Sequence, residues 1–441
     1  MGRTDIPSDP FSVSFAVLLS LKKHIFVPSF RRTARLHSYM RILHTADWHL
    51  GQKFINQSRE TEQQLALDWL YDRVIQENPD VLIVAGDIFD VSNPPVGAEE
   101  MYYQFLTRLT KTDCRYVVII GGNHDSAFRL NAPRGLLRAL NMYVVGAASS
   151  QPEDDLVPIK AKDGTVIGII AAVPFLRERD FNVTATGESA DDRVRRIQQG
   201  IIHHYQRMAD AVKDYDVPVI ATGHLYAKGA STHEEQQNIY LGNLDNIAAE
   251  QFPDRFSYIA LGHIHRMQKV GKQERIRYCG SLIPLSFSEK ADKKGIIIAD
   301  FDLKNGLVAT KEIETPVFRQ MVSIKGTLPE IEQKLSKLHH PELPLPAWVE
   351  VIITGDPGVP MVDRHLRTYA QDLYLDILKI KVEHAALSLS EQAPREDLSD
   401  LSPEDVLLKK CTSVGLNEPK TLLMQQEFAA LRIWMDEQQK A

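Results

Sequence analysis

Read for its apolar and polar positions, the chain contains five short apolar runs that each stop abruptly at polar residues. They are Ile42–Ala46 before Asp47-Trp48-His49, Val81–Ala85 before Gly86-Asp87-Ile88-Phe89-Asp90, and Tyr116–Ile120 before Gly121-Gly122-Asn123-His124-Asp125. Val217–Thr222 before Gly223-His224 and Tyr258–Leu261 before Gly262-His263-Ile264-His265 complete the series. Short runs of this kind bounded by glycine predict buried strands. Helical patterns lie between the early ones. Glu62–Glu77 is expected to turn Leu65, Trp69 and Val74 to one side, and Glu99–Thr110 follows Pro94-Pro95. A further polar amphipathic helix is predicted over Asp191–Lys213. Strand–helix alternation predicts an α/β core. In such cores ligands collect at the carboxyl ends of the strands, where all five polar clusters fall.

Beyond these runs the pattern changes. Ile296–Phe301 and the stretch to about Pro316 read as closing strands. Met321–Lys325, Trp348–Ile353 and Leu375–Glu383 read as strands separated by a helix from Thr327 and a polar helix over 362–373. Thr327 and Glu330 have the spacing of a capping box. This β-α-β-α-β order predicts a small α+β domain. Residues 385–400 are polar and read as a linker. Ser402-Pro403 opens a helix, with serine as N-cap and proline at the first helical position. A last helix carries Met424, Phe428, Leu431 and Met435 on one stripe, which fits a partner groove. At the other end, residues 1–39 read as an extension outside the fold, disordered or the result of an upstream start. Its apolar run ends at Lys22-Lys23, is too short to span a bilayer and has no basic region before it, so no membrane partner is expected; the other reading is a weak targeting or surface-anchoring segment.

Composition adds little and excludes some classes. The 441 residues are 44% hydrophobic and 25% charged, an ordinary globular balance that excludes collagen-like and many-span membrane chains. The net charge of −7 argues, as a whole-chain number, against nucleic acid. Cys114, Cys279 and Cys411 form no paired framework and point to a reducing, cytoplasmic setting.

The polar clusters carry the chemistry. Asp47, His49, Asp87, Asn123, His224, His263 and His265 supply two carboxylates, one amide oxygen and four imidazoles. That set suits two borderline cations such as manganese, iron or zinc. An Asp-x-His or His-x-His pair aims both side chains the same way, because residues i and i+2 of a strand share a face. Asp87 is the candidate bridging carboxylate, and a metal-activated water the candidate nucleophile. His124 is the candidate proton donor, with Asp125 expected to orient its ring. His44 is expected to pack rather than ligate, and His203, His204 and His233 to face solvent. Asp90 is read as either a helix cap or a site residue. Lys53, Arg59, Arg129 and Arg266 lie near the motifs, as phosphate contacts, solvated surface charges or salt-bridge partners.

Asp47-x-His49, Gly86-Asp87-x-x-Asp90, Gly122-Asn123-His124-Asp125, Gly223-His224 and Gly262-His263-x-His265 together resemble the calcineurin-like metallophosphoesterases. The strings HTADWHLGQKF, VAGDIFD, GGNHDS, ATGHL, YIALGHIHR and YCGSLIPLSFSE resemble more closely the SbcD-like nuclease subunits, from Met40 onwards. The resemblance implies a metallophosphoesterase β-sandwich flanked by helices over 40–316, a DNA-positioning cap over 317–384, the 385–400 linker and partner-docking helices over 401–441. It implies one metal held by Asp47, His49, Asp87 and His265, and a second by Asp87, Asn123, His224 and His263. Manganese would be the preferred ion and His124 the catalytic histidine. It further implies hydrolysis of double-stranded DNA ends and hairpins, in a dimer within a heterotetramer with an SbcC-like coiled-coil ATPase. Archaeal and eukaryotic relatives have a second histidine where this chain has Asp90. No Gly-x-x-x-x-Gly-Lys-Ser/Thr loop occurs here, so ATP dependence would come from the partner.

Overall fold

The computed structural model describes residues 39–181, 189–231, 247–338, 340–355, 361–383, 403–413, 420–425 and 427–429. The extension before residue 39, the 385–400 linker, His233, Ser402, Leu431 and Met435 lie outside the described residues.

The chain begins with β1 (Tyr39–Thr45), α1 (Glu60–Glu77), β2 (Val81–Ala85), α2 (Val96–Leu109), β3 (Tyr116–Ile120) and β4 (Met142–Val145). It continues through β5 (Leu156–Lys160), β6 (Val166–Ala171), α3 (Ala190–Ala211), β7 (Val219–His224) and β8 (Tyr258–Gly262). Next come β9 (Gln268–Val270), β10 (Gln273–Tyr278), β11 (Gly295–Asp302) and β12 (Gly306–Glu314). One six-stranded sheet has the order β12-β11-β1-β2-β3-β4, and the other β9-β10-β8-β7-β6-β5. The central strands β1 to β4 run parallel, as do β6, β7, β8 and β10. The outer strands β11, β12, β5 and β9 pair antiparallel.

Three apolar layers hold these sheets. Between them pack Ile42, Ile83, Val118, Ile170, Ile220, Tyr258 and Ile297. Outside the first sheet lie α1 and α2, with Leu67, Leu70, Val74, Tyr102 and Phe105 buried. Outside the second lies α3, with Ile197, Ile201, Tyr205 and Met208. The central strands are covered on both faces, which is why their sequences are continuously apolar instead of alternating. In α1 the buried stripe runs through Leu67, Leu70 and Val74, while Leu65 and Trp69 are only partly covered. His203 is exposed, but His204 is buried, contrary to expectation. It falls beside Tyr205 on the face that Ile197, Ile201 and Met208 turn inwards, so helical register overrides its polarity.

A three-stranded sheet with two helices follows as β13 (Met321–Gly326), α4 (Leu328–Ser336), β14 (Ala347–Thr354), α5 (Val362–Tyr369) and β15 (Leu375–Glu383), with sheet order β13-β14-β15. The Glu330 carboxylate accepts from Thr327 N at 2.9 Å, completing the predicted cap of α4. Trp348 of β14 lies at a charged joint. Phe54 stacks on Trp348 at 5.6 Å, and the guanidiniums of Arg59 and Arg319 lie 5.6 and 4.1 Å from the indole. Arg59 is fully buried and donates to Glu62 Oε2, Gln52 Oε1 and Pro284 O at 2.6–3.0 Å. Arg319 Nε lies 3.6 Å from the same Glu62 oxygen.

The described residues form two compact units. One runs to Ile353 and includes 361–381; the other includes Val382 and the helices beyond 403. In the second unit, α6 (Pro403–Ser413) begins at the predicted proline. No helix among the described residues is long and apolar enough to cross a membrane.

Candidate metal centre

Strands β1, β2, β3, β7 and β8 all end on one side of the sandwich, and the loops that leave them converge. The loop after β1 is zipped to the loop after β2 by Asp47 N to Gly86 O, His49 N to Asp87 O and Leu50 N to Ile88 O, at 2.9–3.0 Å. Asp47, His49, Asp87 and His263 have φ of 52°, 46°, 48° and 94°. Left-handed backbone at four non-glycine residues is strained and persists only where the surroundings enforce it. The Asp47-x-His49 pair therefore shares a pocket through this backbone and its zipper, not through strand alternation. Glycine makes room for the convergence. Gly86 has φ 88°, and a Cβ at Gly122 would collide with the Asp87 carboxylate.

The seven predicted ligands come together. Asp47, His49 and His265 offer ligand atoms within 4.8 Å of one another, as do Asp47, Asp87 and His224. His49 Nε2 lies 3.5 Å and His224 Nε2 3.2 Å from Asp87 Oδ2, so this carboxylate stands between the two sets. Asn123 Oδ1 lies 3.0 Å from both His224 Nε2 and His263 Nδ1. The backbone locks these groups: His263 N donates to Asp47 Oδ1 and His124 N to Asp87 Oδ1, each at 2.9 Å. His224 Nδ1 donates to Ala85 O, which leaves Nε2 facing the carboxylate.

Electrostatics set the pocket apart. Burial works against the charge of Asp87, but His224, His49 and His124 outweigh it and hold the carboxyl well below its ordinary range. Burial also opposes a proton on His224, yet Asp87 and Asp47 push it up to about 9. Burial and the neighbouring His224 press His263 down to about 3. Asp47 is raised by burial against the pull of His224 and His265. Two buried atoms, Asp47 Oδ2 and His49 Nε2, have no hydrogen-bond partner among the described residues. Unsatisfied buried polar atoms are costly. A cation would satisfy both at once, and the oxygen–imidazole donor set fits a divalent metal.

Around this centre the structure decides the roles of Asp90 and Asp125, and it adds Gln63 and Glu289. Asp90 Oδ1 lies 3.1 Å from His49 Nδ1, and the Asp90 carbonyl accepts His124 Nδ1 at 2.6 Å. Asp125, expected on the His124 ring, sits elsewhere. Its carboxylate accepts from Ile88 N, Phe89 N and Gly122 N at 2.9–3.1 Å and so ties the β2 and β3 loops together. Burial and the nearby Asp87 push it up to about 6. Gln63 grips the β1 loop by donating to His49 O and accepting from Gly51 N. Glu289 accepts from His265 Nδ1 at 2.9 Å, 24 residues away along the chain. No local pattern marks Gln63, and Glu289 closes the string YCGSLIPLSFSE without any local sign of a role. Of the basic residues near the motifs, Arg59 is buried in the joint, Arg129 pairs with Glu99, Arg266 with Asp292, and Lys53 is exposed. His44 is buried, with Nδ1 3.1 Å from Tyr258 Oη, as its position inside β1 predicts.

Comparison with known proteins accords with this geometry. Residues 40–267 match the family model of the calcineurin-like phosphoesterases. Residues 317–414 match the model described as the type 5 capsule protein repressor C-terminal domain. The chain is 38% identical over 396 residues to the SbcD subunit of the nuclease SbcCD from Escherichia coli K12, covering 88% of this chain and 97% of that one. It is 31% identical over 380 residues to the same subunit of Rhodobacter capsulatus, covering 83% and 93%. With that of Bacillus subtilis it shares 34% identity over 269 residues, covering 59% and 66%.

Proposed function

Since this chain belongs to the calcineurin-like phosphoesterases and, within them, to the SbcD family of nuclease subunits, we propose that it is a metal-dependent DNA nuclease subunit. It hydrolyses phosphodiesters as a double-strand exonuclease and hairpin endonuclease, with an SbcC-like ATPase, in DNA repair, replication or recombination. The observation that carries this reading is the meeting of the ligand-type side chains at Asp47, which two clusters share, and at Asp87, which lies against both His49 and His224, with two buried ligand atoms left unsatisfied.

Asp47, His49, Asp87 and His265 hold one cation; Asp87, Asn123, His224 and His263 hold the other. Manganese suits the mixture of oxygen and imidazole donors. When bound, the two cations supply an activated water and neutralise charge on the phosphate. The protein's own groups do the rest. The Asp90 carbonyl accepts His124 Nδ1–H and so fixes the ring of this exposed residue, and Nε2 gives a proton to the leaving oxygen when the imidazole arrives doubly protonated. Asp125 supports this step by pinning the loop that carries His124.

The 40–316 region is then the catalytic domain and 317–384 the cap that positions DNA. The helices of 401–441 dock the ATPase, a role supported by the exposed Val406, Leu408, Leu422, Leu423 and Met424. The assembly we propose with the ATPase is a dimer of this chain within a heterotetramer. Three free cysteines fit the cytoplasm.

The test is cleavage of hairpin and blunt double-stranded DNA by the full chain with an SbcC-like ATPase in Mn²⁺. Cleavage is expected to stop on chelation and in His124→Ala, and removal of 401–441 to release the ATPase in a pull-down. Small-phosphodiester hydrolysis should survive that removal. Robust cleavage by His124→Ala would sink the assignment of that residue; cleavage after chelation would sink the metal mechanism.

A further inference from the structure

The two ligand sets are backed differently. In the second set, His224 is oriented by a backbone carbonyl. In the first, both imidazoles face carboxylates: His49 faces Asp90, and His265 faces Glu289. Glu289 stands out because its charge is buried, with only 3% of the residue exposed. Its other oxygen, Oε2, accepts from Lys294 Nζ at 2.6 Å and from Leu285 N at 3.0 Å. Lys294 is itself buried and donates also to His265 O at 2.7 Å and Ser281 Oγ at 3.1 Å. The ring and the carbonyl of His265 are thus gripped by the two halves of one ion pair, which closes a loop of hydrogen bonds around that residue.

We propose that Glu289 and Lys294 form a positioning pair that fixes the tautomer and orientation of His265 for the cation of the first set. The inference rests on the two-cation reading above. Donating Nδ1–H to a carboxylate leaves Nε2 with its lone pair free and makes the ring a stronger ligand. Lys294 lets the carboxylate remain charged in a buried setting, since an unpaired buried charge would be costly. Because the pair is neutral as a whole, it orients the ligand without adding to the negative charge already held by Asp47 and Asp87. Removing partners of this kind typically weakens metal binding by about 10–100-fold.

Isothermal titration of the full chain with MnCl₂ tests this. The wild type is expected to bind two equivalents. Glu289→Ala should weaken one of them by about 10–100-fold and leave the other unchanged. Glu289→Gln, whose amide oxygen still accepts Nδ1–H, should recover part of the loss. Hydrolysis of bis-p-nitrophenyl phosphate by Glu289→Ala should regain its kcat at saturating Mn²⁺ with KM unchanged, which a general loss of structure would not do. The double variant Glu289→Gln/Lys294→Met removes both charges together and so spares the fold. It should still bind one equivalent about tenfold more weakly. Wild-type affinity at both sites in Glu289→Ala, or in the double variant should the single one not fold, overturns the proposal. If the wild type binds one equivalent only, the two-cation reading falls. A weakened isotherm in Glu289→Ala would in that case still support the pair.

Discussion

Two regions of the first unit bury charge, and they differ in how that charge is met. At the joint under Trp348, Arg59, Glu62 and Arg319 face one another and an aromatic surface; Arg319 Nε lacks a hydrogen-bond partner among the described residues, but it is a donor and cannot ligate a cation. At the ends of β1, β2, β3, β7 and β8, buried carboxylates and imidazoles crowd together on left-handed backbone and leave Asp47 Oδ2 and His49 Nε2 unmatched. Burial of charge is common to both, so burial alone does not mark a site. Unspent ligand capacity on strained backbone does. The first cluster is a strut beneath Trp348, and the second has the form of a receptacle for a cation.

That contrast can be broken by substitution. The largest effect is expected from Asp87→Asn, because this side chain stands between both ligand sets. Mn²⁺-dependent hydrolysis of bis-p-nitrophenyl phosphate should fall at least about a thousandfold, ~4 kcal/mol of barrier, with the far-ultraviolet circular dichroism kept. Retained activity would remove the receptacle from the mechanism. Glu62→Ala acts on the strut and leaves two buried guanidiniums without their carboxylate. Urea unfolding should show a loss of ~3–5 kcal/mol, while Mn²⁺ affinity of the folded protein stays near the wild-type value. Equal stability with lost metal binding would reverse the roles of the two regions.

The smallest effect sharpens the comparison with a third solution, neutralisation. His44, in the inter-sheet layer, is pressed down to about 3 by burial and by Arg277. Its unfolded value is near 6.5, so below that pH the unfolded chain takes up a proton that the folded chain refuses. Stability therefore falls as pH drops from 6.5 towards 3. In His44→Leu, the loss of unfolding free energy between about pH 7 and about pH 5 should be smaller by ~2 kcal/mol. An unchanged pH dependence would mean that His44 is not held neutral.

Much of the site is legible in the sequence, and the reason is positional. Asp47, His49, Asp87, Asn123, His224, His263 and His265 each follow a short apolar run, and strands of one sandwich end together. Supporting residues are not legible, because their partners are distant in sequence. Glu289 serves His265, Gln63 serves His49, and Asp90 serves His49 and His124. Arg59 reads as a phosphate contact, a surface charge or a salt-bridge partner; it is the partner of Glu62, but its depth is not legible, and it is among the most deeply buried side chains. His204 reads as solvated and faces inwards.

By itself, then, the sequence determined the elements, the α/β class and the set of candidate ligand side chains. Apolar periodicity and glycine punctuation are local, and they act the same way wherever the chain is placed. Only the tertiary structure decided how those side chains are aimed and which charges are spent. It did so by zipping the β1 and β2 loops into left-handed backbone. It also brought a carboxylate from residue 289 onto an imidazole at 265 and set Arg59 against Trp348. Orientation and pairing depend on which segments meet in space, and that follows from packing the whole core.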